Sequence, residues 1–126
     1  MNGLIIIAVL TILIVLYNLY NGYTIFHHEA AVLPGTAKQN VQQDKYDYIL
    51  DVRMKEAWKH HHFPEAVSIP LHQISLETLA QESIRPEHSI LIYSNSNVCA
   101  KRAYTKLKAL SFEKVSFLLG TYTNLM

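Results

Sequence analysis

The chain is poor in the residues that carry much of the chemistry of small domains. It has one cysteine and one tryptophan in 126 residues. A single cysteine cannot form an internal disulfide or build a cysteine zinc site, so the sequence carries no sign of an oxidising compartment. Charge is also balanced, because 11 Lys and Arg against 10 Asp and Glu leave a net charge of +1. With no basic field to attract a nucleic acid, we expect no nucleic-acid partner.

Charged side chains are missing from the first 26 residues. The run LIIIAVLTILIVLYNLY, from Leu4 to Tyr20, contains only Thr11 and Asn18 as strongly polar interruptions. A helix continued through residue 26 would reach about 30 Å, the thickness of a bilayer core. This pattern predicts a transmembrane anchor over residues 1–26. Two alternatives stay open: a helix buried in the domain, and a cleaved signal peptide, although the segment lacks an initial positive charge and a clear cleavage site.

The length of the chain allows one small domain behind this apolar segment. Residues 27–44, with a turn signal at Pro34-Gly35, are predicted to be a juxtamembrane linker to a domain over residues 45–126. The first basic side chains, Lys38 and Lys45, follow the apolar segment and none precedes it. The positive-inside rule therefore predicts a single-pass protein whose soluble domain is cytoplasmic.

The remaining sequence alternates between strand and helix patterns. The predicted strands are Tyr46–Val52, Ala66–Ile69, Ser89–Tyr93 and Val115–Leu119, and the predicted helices are Lys55–His61, Leu71–Gln81 and about Val98–Leu110. This alternation predicts an α/β fold with a parallel β-sheet flanked by helices. Ligands bind at the C-terminal ends of the strands in such sheets, which is where Asp51 and Ser94 stand.

The most informative segment is ILIYSNSNVC, residues 90–99, in which an apolar strand leads into a polar loop and then a helix. Such a junction presents a side chain above backbone N–H groups, where a nucleophile and its anion would sit. Ser94 opens the loop, and Cys99, the only cysteine, lies at its far end. Between them lies a predicted anion-binding loop, formed by Asn95, Ser96, Asn97 and Val98.

Two ordered stretches resemble the rhodanese-like family. The first, DVRMKEAWKHHHFPEAVSIP, is similar to that family's Asp-x-Arg, aromatic residue, His-x-Pro and Ile-Pro pattern. The second, residues 90–120, is similar to its strand, active-site loop, helix and closing strand. The resemblance covers about Tyr46 to Thr121 and implies a rhodanese-like fold. It implies a structural ion pair between Asp51 and Arg53, and a loop before Pro64 that His62 holds by hydrogen bonding.

The active-site loop departs from the family pattern at its first position. In active members, a cysteine there takes a sulfane sulfur from a donor and passes it on from a persulfide. That position is Ser94, whose hydroxyl lacks the thiolate character and the sulfur–sulfur bonding of the intermediate. The resemblance thus implies a sulfurtransferase-like domain that has lost its activity and acts as a binding or regulatory module. Its loop would engage a protein partner or a small anion.

Several positions where the family commonly has glycine carry other residues in this chain. Each replacement removes freedom to adopt positive φ, which agrees with an active-site loop that is no longer held in a catalytic conformation. The residues at such positions are His61, Glu65, Asn97, Ser111 and Thr121.

Other chemistries remain as alternatives. Cys99 belongs to the same loop-to-helix junction and could make the chain a sulfurtransferase with a displaced nucleophile. Ser94 could serve a hydrolase only with a base such as His62 held by a third group such as Asp51. The histidines at 27, 28 and 60–62 invite a metal site, but consecutive histidines diverge, and we expect neither a metal nor another cofactor.

Overall fold

The structure, a computed structural model, describes residues 2–126. Its helices are α1 (Gly3–Phe26), α2 (Pro34–Gln42), α3 (Lys55–His60), α4 (Leu76–Gln81) and α5 (Asn97–Ala109). Its strands are β1 (Ala31–Val32), β2 (Tyr48–Asp51), β3 (Val67–Ser68), β4 (Ile90–Tyr93) and β5 (Val115–Leu118). Two 3₁₀ turns complete the chain, at Leu71–Gln73 and Tyr122–Leu125.

The five strands form one sheet in the order β1-β5-β4-β2-β3, and every neighbouring pair is parallel. The predicted α/β fold with a parallel sheet flanked by helices is confirmed. Because all strands run in one direction, the carboxyl ends of β2 and β4 lie at the same edge. Asp51 and Tyr93, the last residues of these strands, are directly opposite each other in the register.

The two faces of the sheet build two separate hydrophobic clusters. On β4, Ile90 and Ile92 contribute to the first cluster, whereas Leu91 and Tyr93 contribute to the second. This division follows from the side-chain period of two in a strand. The first cluster includes the buried face of α5, with Ala100, Ala103 and Leu107, and residues from α4. The second cluster includes residues of α2 and of the closing 3₁₀ turn.

Helix α1 is exposed along most of its length. It has a mean hydropathy of 2.5 in its most apolar window, none of which is buried, and it is long and apolar enough to cross a membrane. The alternative of a helix buried inside the domain is therefore wrong, since its apolar side chains face outward. Its last turn differs, because Ile25 is only 3% exposed and packs in the first cluster.

Residues 27–44, predicted as a linker, carry more structure than a connection needs. Strand β1 pairs with β5, and α2 packs against the closing 3₁₀ turn. The predicted helix at 71–81 is also divided into a 3₁₀ turn and α4. Ser75 begins α4 with a capping box, in which its side chain accepts from the Thr78 N–H and the Thr78 hydroxyl accepts from the Ser75 N–H.

Candidate functional site

A buried carboxylate lies at the C-terminal edge of the sheet. Asp51 is fully buried, and the side chain of Arg53 is only 11% exposed. The guanidinium donates to both carboxylate oxygens, with Nε 3.0 Å from Oδ1 and Nη2 2.7 Å from Oδ2. The Arg53 backbone N–H donates to Oδ1 at 3.0 Å, and the Tyr93 hydroxyl donates to Oδ2 at 2.7 Å. The carboxylate is thus occupied by donors and is not placed to act as a base.

The partners of Asp51 are themselves held by further contacts. Its hydrogen bonds to Arg53 raise the pKa of that guanidinium. Arg53 Nη2 also donates to the His61 carbonyl at 2.7 Å, and its guanidinium carbon lies 4.8 Å from the Tyr122 ring centre. Burial raises the pKa of Tyr93, and its hydrogen bond to Asp51 raises it further. This network joins β2 and β4 to the loop that follows α3.

His62 is engaged by packing and hydrogen bonding within its own loop. Its ring stacks on Trp58, with centroids 4.2 Å apart and planes at 15°. His62 Nδ1 lies 2.7 Å from the Trp58 carbonyl oxygen, an arrangement in which the ring nitrogen is the donor. Trp58 Nε1 in turn donates to the carbonyl of Ala66 at 3.2 Å. These contacts close the loop around Phe63 and Pro64.

Ser94 and Cys99 line one shallow cleft of about 270 Å³, together with Arg53, Leu71 and His72. Ser94 is 3% exposed, and its hydroxyl donates to the Asn95 side-chain oxygen at 3.3 Å. Among residues 2–126, no histidine or carboxylate side chain is hydrogen-bonded to Ser94. Successive side chains along a strand point to opposite faces of the sheet, and Asp51 is bonded to Tyr93 on the face of the second cluster. This alternation explains in part why Asp51 is not bonded to Ser94, the residue after Tyr93. The arrangement of a serine hydrolase is therefore not assembled.

The loop after Ser94 leaves four backbone donors open. The N–H groups of Asn95, Ser96, Asn97 and Val98 have no acceptor within residues 2–126. Ser96 caps α5 through a long contact of 3.5 Å from the Cys99 N–H, and Asn97 Oδ1 accepts from the Gly120 N–H at 2.9 Å. No residue of this loop has a positive φ. It therefore lacks the alternating backbone that curls successive N–H groups into an anion-binding nest.

The histidines considered for a metal site are His27, His28 and those at 60–62. Within the described part of the chain, no group of three or more His, Cys, Asp or Glu could hold a metal ion. His28 packs edge-on to Tyr104 and Phe117, with centroids 5.0 Å and 5.5 Å away.

The site residues and the parallel sheet behind them agree with one domain family. The model of the rhodanese-like domain matches residues 33–126. The chain belongs to the rhodanese-like family. The match includes α2 and begins earlier than the stretch that carries the sequence resemblance.

Solved structures support the same fold. The rhodanese-like domain of Alr3790 from Anabaena sp. is 23% identical, with a TM-score of 0.66 over 77% of this chain and 73% of that one. BH2092 from Bacillus halodurans is 25% identical, with a TM-score of 0.66 over 86% and 79%. The human single-domain sulfurtransferase TSTD1 is 16% identical, with a TM-score of 0.63 over 75% and 93%. No curated protein matches the chain in sequence.

Two members of this rhodanese-like site escape the sequence motifs. Tyr93 and Tyr122 both lie under the Arg53 guanidinium, and their ring centroids are 5.2 Å apart. For Tyr93, the sequence does offer a signal of a site residue: it is a hydroxyl-bearing residue at the end of an otherwise aliphatic strand, next to the strand of Asp51. The sequence offers no comparable signal for Tyr122, because only the fold brings the C-terminal turn to this edge.

Proposed function

We propose that this rhodanese-like domain is tethered to a membrane, has lost sulfur transfer, and acts as a binding or regulatory module through its 94–98 loop. The single observation that carries the proposal is the identity and setting of Ser94. It stands at the end of β4, where active members of the family carry the cysteine nucleophile, and its nearly buried hydroxyl is bonded to a neighbouring amide. A hydroxyl in this setting cannot form the persulfide on which sulfur transfer depends.

The open N–H groups of the loop support its use in binding. They are available to a small anion or to the backbone of a protein partner. Because no loop residue has a positive φ and Asn95, Asn97 and Val98 are exposed, the loop suits an exposed binding surface better than a deep anion cradle. Neither kind of ligand needs a nucleophile. The loop therefore retains a use after the loss of the cysteine.

A second candidate function rests on Cys99, because this thiol lines the same cleft as Ser94. Its thiolate would attack the sulfane sulfur of thiosulfate, form a persulfide and release sulfite. Cyanide would then take the outer sulfur as thiocyanate and restore the thiolate. The human single-domain sulfurtransferase with the same fold makes this class of reaction the natural alternative.

Thiosulfate:cyanide sulfur transfer by the full chain in detergent tests both functions. Wild type and Cys99→Ser are expected to show negligible turnover, whereas Ser94→Cys should gain activity if the rest of the pocket is intact. Ser96→Cys is the matched control, because it adds a thiol to the same loop away from the family position. It should stay inactive.

Robust turnover by wild type would overturn the proposal. Loss of that turnover in Cys99→Ser would assign the chemistry to Cys99, and intact mass after treatment with excess donor should then show one added sulfur. The absence of the added sulfur would instead reject the Cys99 alternative.

The membrane tether is proposed from α1. Its exposed apolar surface suits lipid contact, and the run from Leu4 to Tyr20 reaches about 26 Å at about 1.5 Å per residue, close to the thickness of a bilayer core. Cleavage of this segment as a signal peptide would remove Ile25 from the core, which favours a retained anchor. Alkaline carbonate extraction should leave the chain in the membrane pellet. Protease treatment of right-side-out vesicles should spare the domain if it is cytoplasmic.

A further inference from the structure

A cleft of about 600 Å³ lies between the anchor helix and the domain. Helix α1 supplies Tyr17, Asn21 and Ile25 to one wall, and α5 supplies Lys101, Arg102 and Lys106 to the other. We refer to it as the anchor cleft. It is separate from the cleft of Ser94, although Leu71 and His72 border both.

The anchor cleft is positively charged on its α5 side. Helix α5 contains four Lys and Arg and no Asp or Glu, in a chain whose net charge is only +1. No carboxylate lines the cleft, and neither ion pair of residues 2–126 involves Lys101, Arg102 or Lys106. Lys106 Nζ donates to the Leu71 carbonyl at 2.9 Å, which holds this ammonium beside the cleft. This positive charge therefore has no counterion among the residues that the structure describes.

The opposite wall belongs to the segment of α1 where a bilayer surface would lie. An apolar run interrupted only by Thr11 precedes this segment, and Tyr17, Tyr20 and Tyr23 are all exposed at successive turns. Tyrosines are enriched at the level of lipid head groups. When α1 spans a bilayer, these tyrosines place this part of α1 at head-group level. The cations of α5 then lie at the same level, beside an apolar helix surface that continues into the membrane.

We propose that the anchor cleft binds the head group of an anionic phospholipid. The phosphate would lie between Lys101 and Arg102, and the acyl chains would run along the exposed apolar side of α1. Phosphate suits a guanidinium and an ammonium in the same site, since arginine can contact it with two donors. A free anion would leave the apolar wall unused. The inference rests on the proposed membrane tether.

Native mass spectrometry of the full chain in non-ionic detergent tests this site. The probes are phosphatidylglycerol, phosphatidylcholine with the same acyl chains, and sn-glycerol 3-phosphate. We expect one phosphatidylglycerol retained per chain, in clear preference to phosphatidylcholine and glycerol 3-phosphate. Lys101→Gln/Arg102→Gln should weaken retention by about tenfold or more, as expected for the loss of two cations at a lipid surface.

The matched control is Lys108→Gln/Lys114→Gln, which removes the same charge from exposed positions outside the cleft. It should retain phosphatidylglycerol as wild type does, and circular dichroism should show that both double variants are folded. Equal retention of phosphatidylcholine, equal binding of glycerol 3-phosphate, or an equal loss in the control would overturn the site.

Carbonate extraction separates the lipid site from the membrane tether. An extracted chain that still selects phosphatidylglycerol refutes only the tether, and an embedded chain without lipid selection refutes only the site.

Discussion

The Tyr93 hydroxyl donates a 2.7 Å hydrogen bond to Oδ2 of Asp51, across two parallel strands that end side by side. The same hydroxyl accepts from the Phe63 N–H at 3.2 Å. One phenol group therefore links the buried ion pair of Asp51 and Arg53 to the loop after α3. This link holds the C-terminal edge of the sheet together whether or not a nucleophile is present.

Asp51→Asn should lower the free energy of unfolding by about 3 kcal/mol or more, because it leaves the largely buried Arg53 charge without its counterion. Urea unfolding of the full chain in detergent, followed by fluorescence of Trp58, measures the loss. The control is Glu87→Gln in the exposed ion pair with Arg85, which should cost under about 0.5 kcal/mol. Equal costs in the two variants would contradict the structural importance of the buried pair.

The Tyr93 phenol should make the domain sensitive to alkaline pH. Its pKa is raised in the folded chain above the ordinary value of 10.0, so the unfolded chain releases this proton first as pH rises. The stabilising effect of Tyr93 is complete below pH 10 and is lost above it, at about 1.4 kcal/mol per pH unit until the folded chain also releases the proton. In Tyr93→Phe, this part of the pH dependence between pH 9 and pH 11 should be missing. The measurement is the free energy of unfolding by urea at a series of pH values. If it falls with pH equally in wild type and Tyr93→Phe, Tyr93 is not the cause of the alkaline sensitivity.

Ser111 holds a backbone conformation that suits glycine. Its φ is +71°, in the left-handed region that disfavours a residue with a Cβ atom. Ser111→Gly should therefore raise the free energy of unfolding by about 1 kcal/mol. Thr121→Gly is the control, because Thr121 stands at another family glycine position but has a φ of −100°. It should give no gain, and a similar gain in both would show that conformation is not the cause.

Ile25 should stabilise the domain although it belongs to the anchor helix. It is buried in the first hydrophobic cluster, so Ile25→Ala should cost about 2 kcal/mol or more. The control is Ile14→Ala, earlier on α1 at 60% exposure, which should leave the unfolding of the domain unchanged. Trp58 fluorescence reports domain unfolding in both. Equal stability of the two variants would mean that the last turn of α1 is not part of the folded core.

Much of this fold could be predicted because its central strands are rich in apolar residues. Strand β4 is entirely apolar, β2 has three apolar residues before Asp51, and the helix after Ser94 has a clear apolar face. Strand β1 escaped prediction, because it comes just before the turn signal Pro34-Gly35 in a segment interpreted as a linker, and its pairing with β5 is a long-range contact. The anchor cleft escaped for the same reason, since its two walls are far apart in sequence.

The site was predictable in part, because the family resemblance implies the ion pair between Asp51 and Arg53 and a hydrogen bond from His62 but not their further partners. The motif residues Asp51, Arg53 and His62 could be named from the resemblance to the family's motif. The partners that occupy them, Tyr93 and the carbonyl of Trp58, depend on the strand register and on the loop conformation. Sequence spacing also could not exclude His62 as a base beside Ser94, because His62 lies in a loop whose conformation the spacing does not give.

The sheet ends at both sides in strands of only two residues, β1 and β3. Such short edges offer few unpaired N–H and C=O groups to a strand of another molecule, and short edge strands are one way in which proteins avoid edge-to-edge aggregation. Confinement to a membrane would raise the local concentration of the domain and make encounters between copies frequent. The short edge strands would then let many copies lie close together on one membrane without pairing their sheets edge to edge.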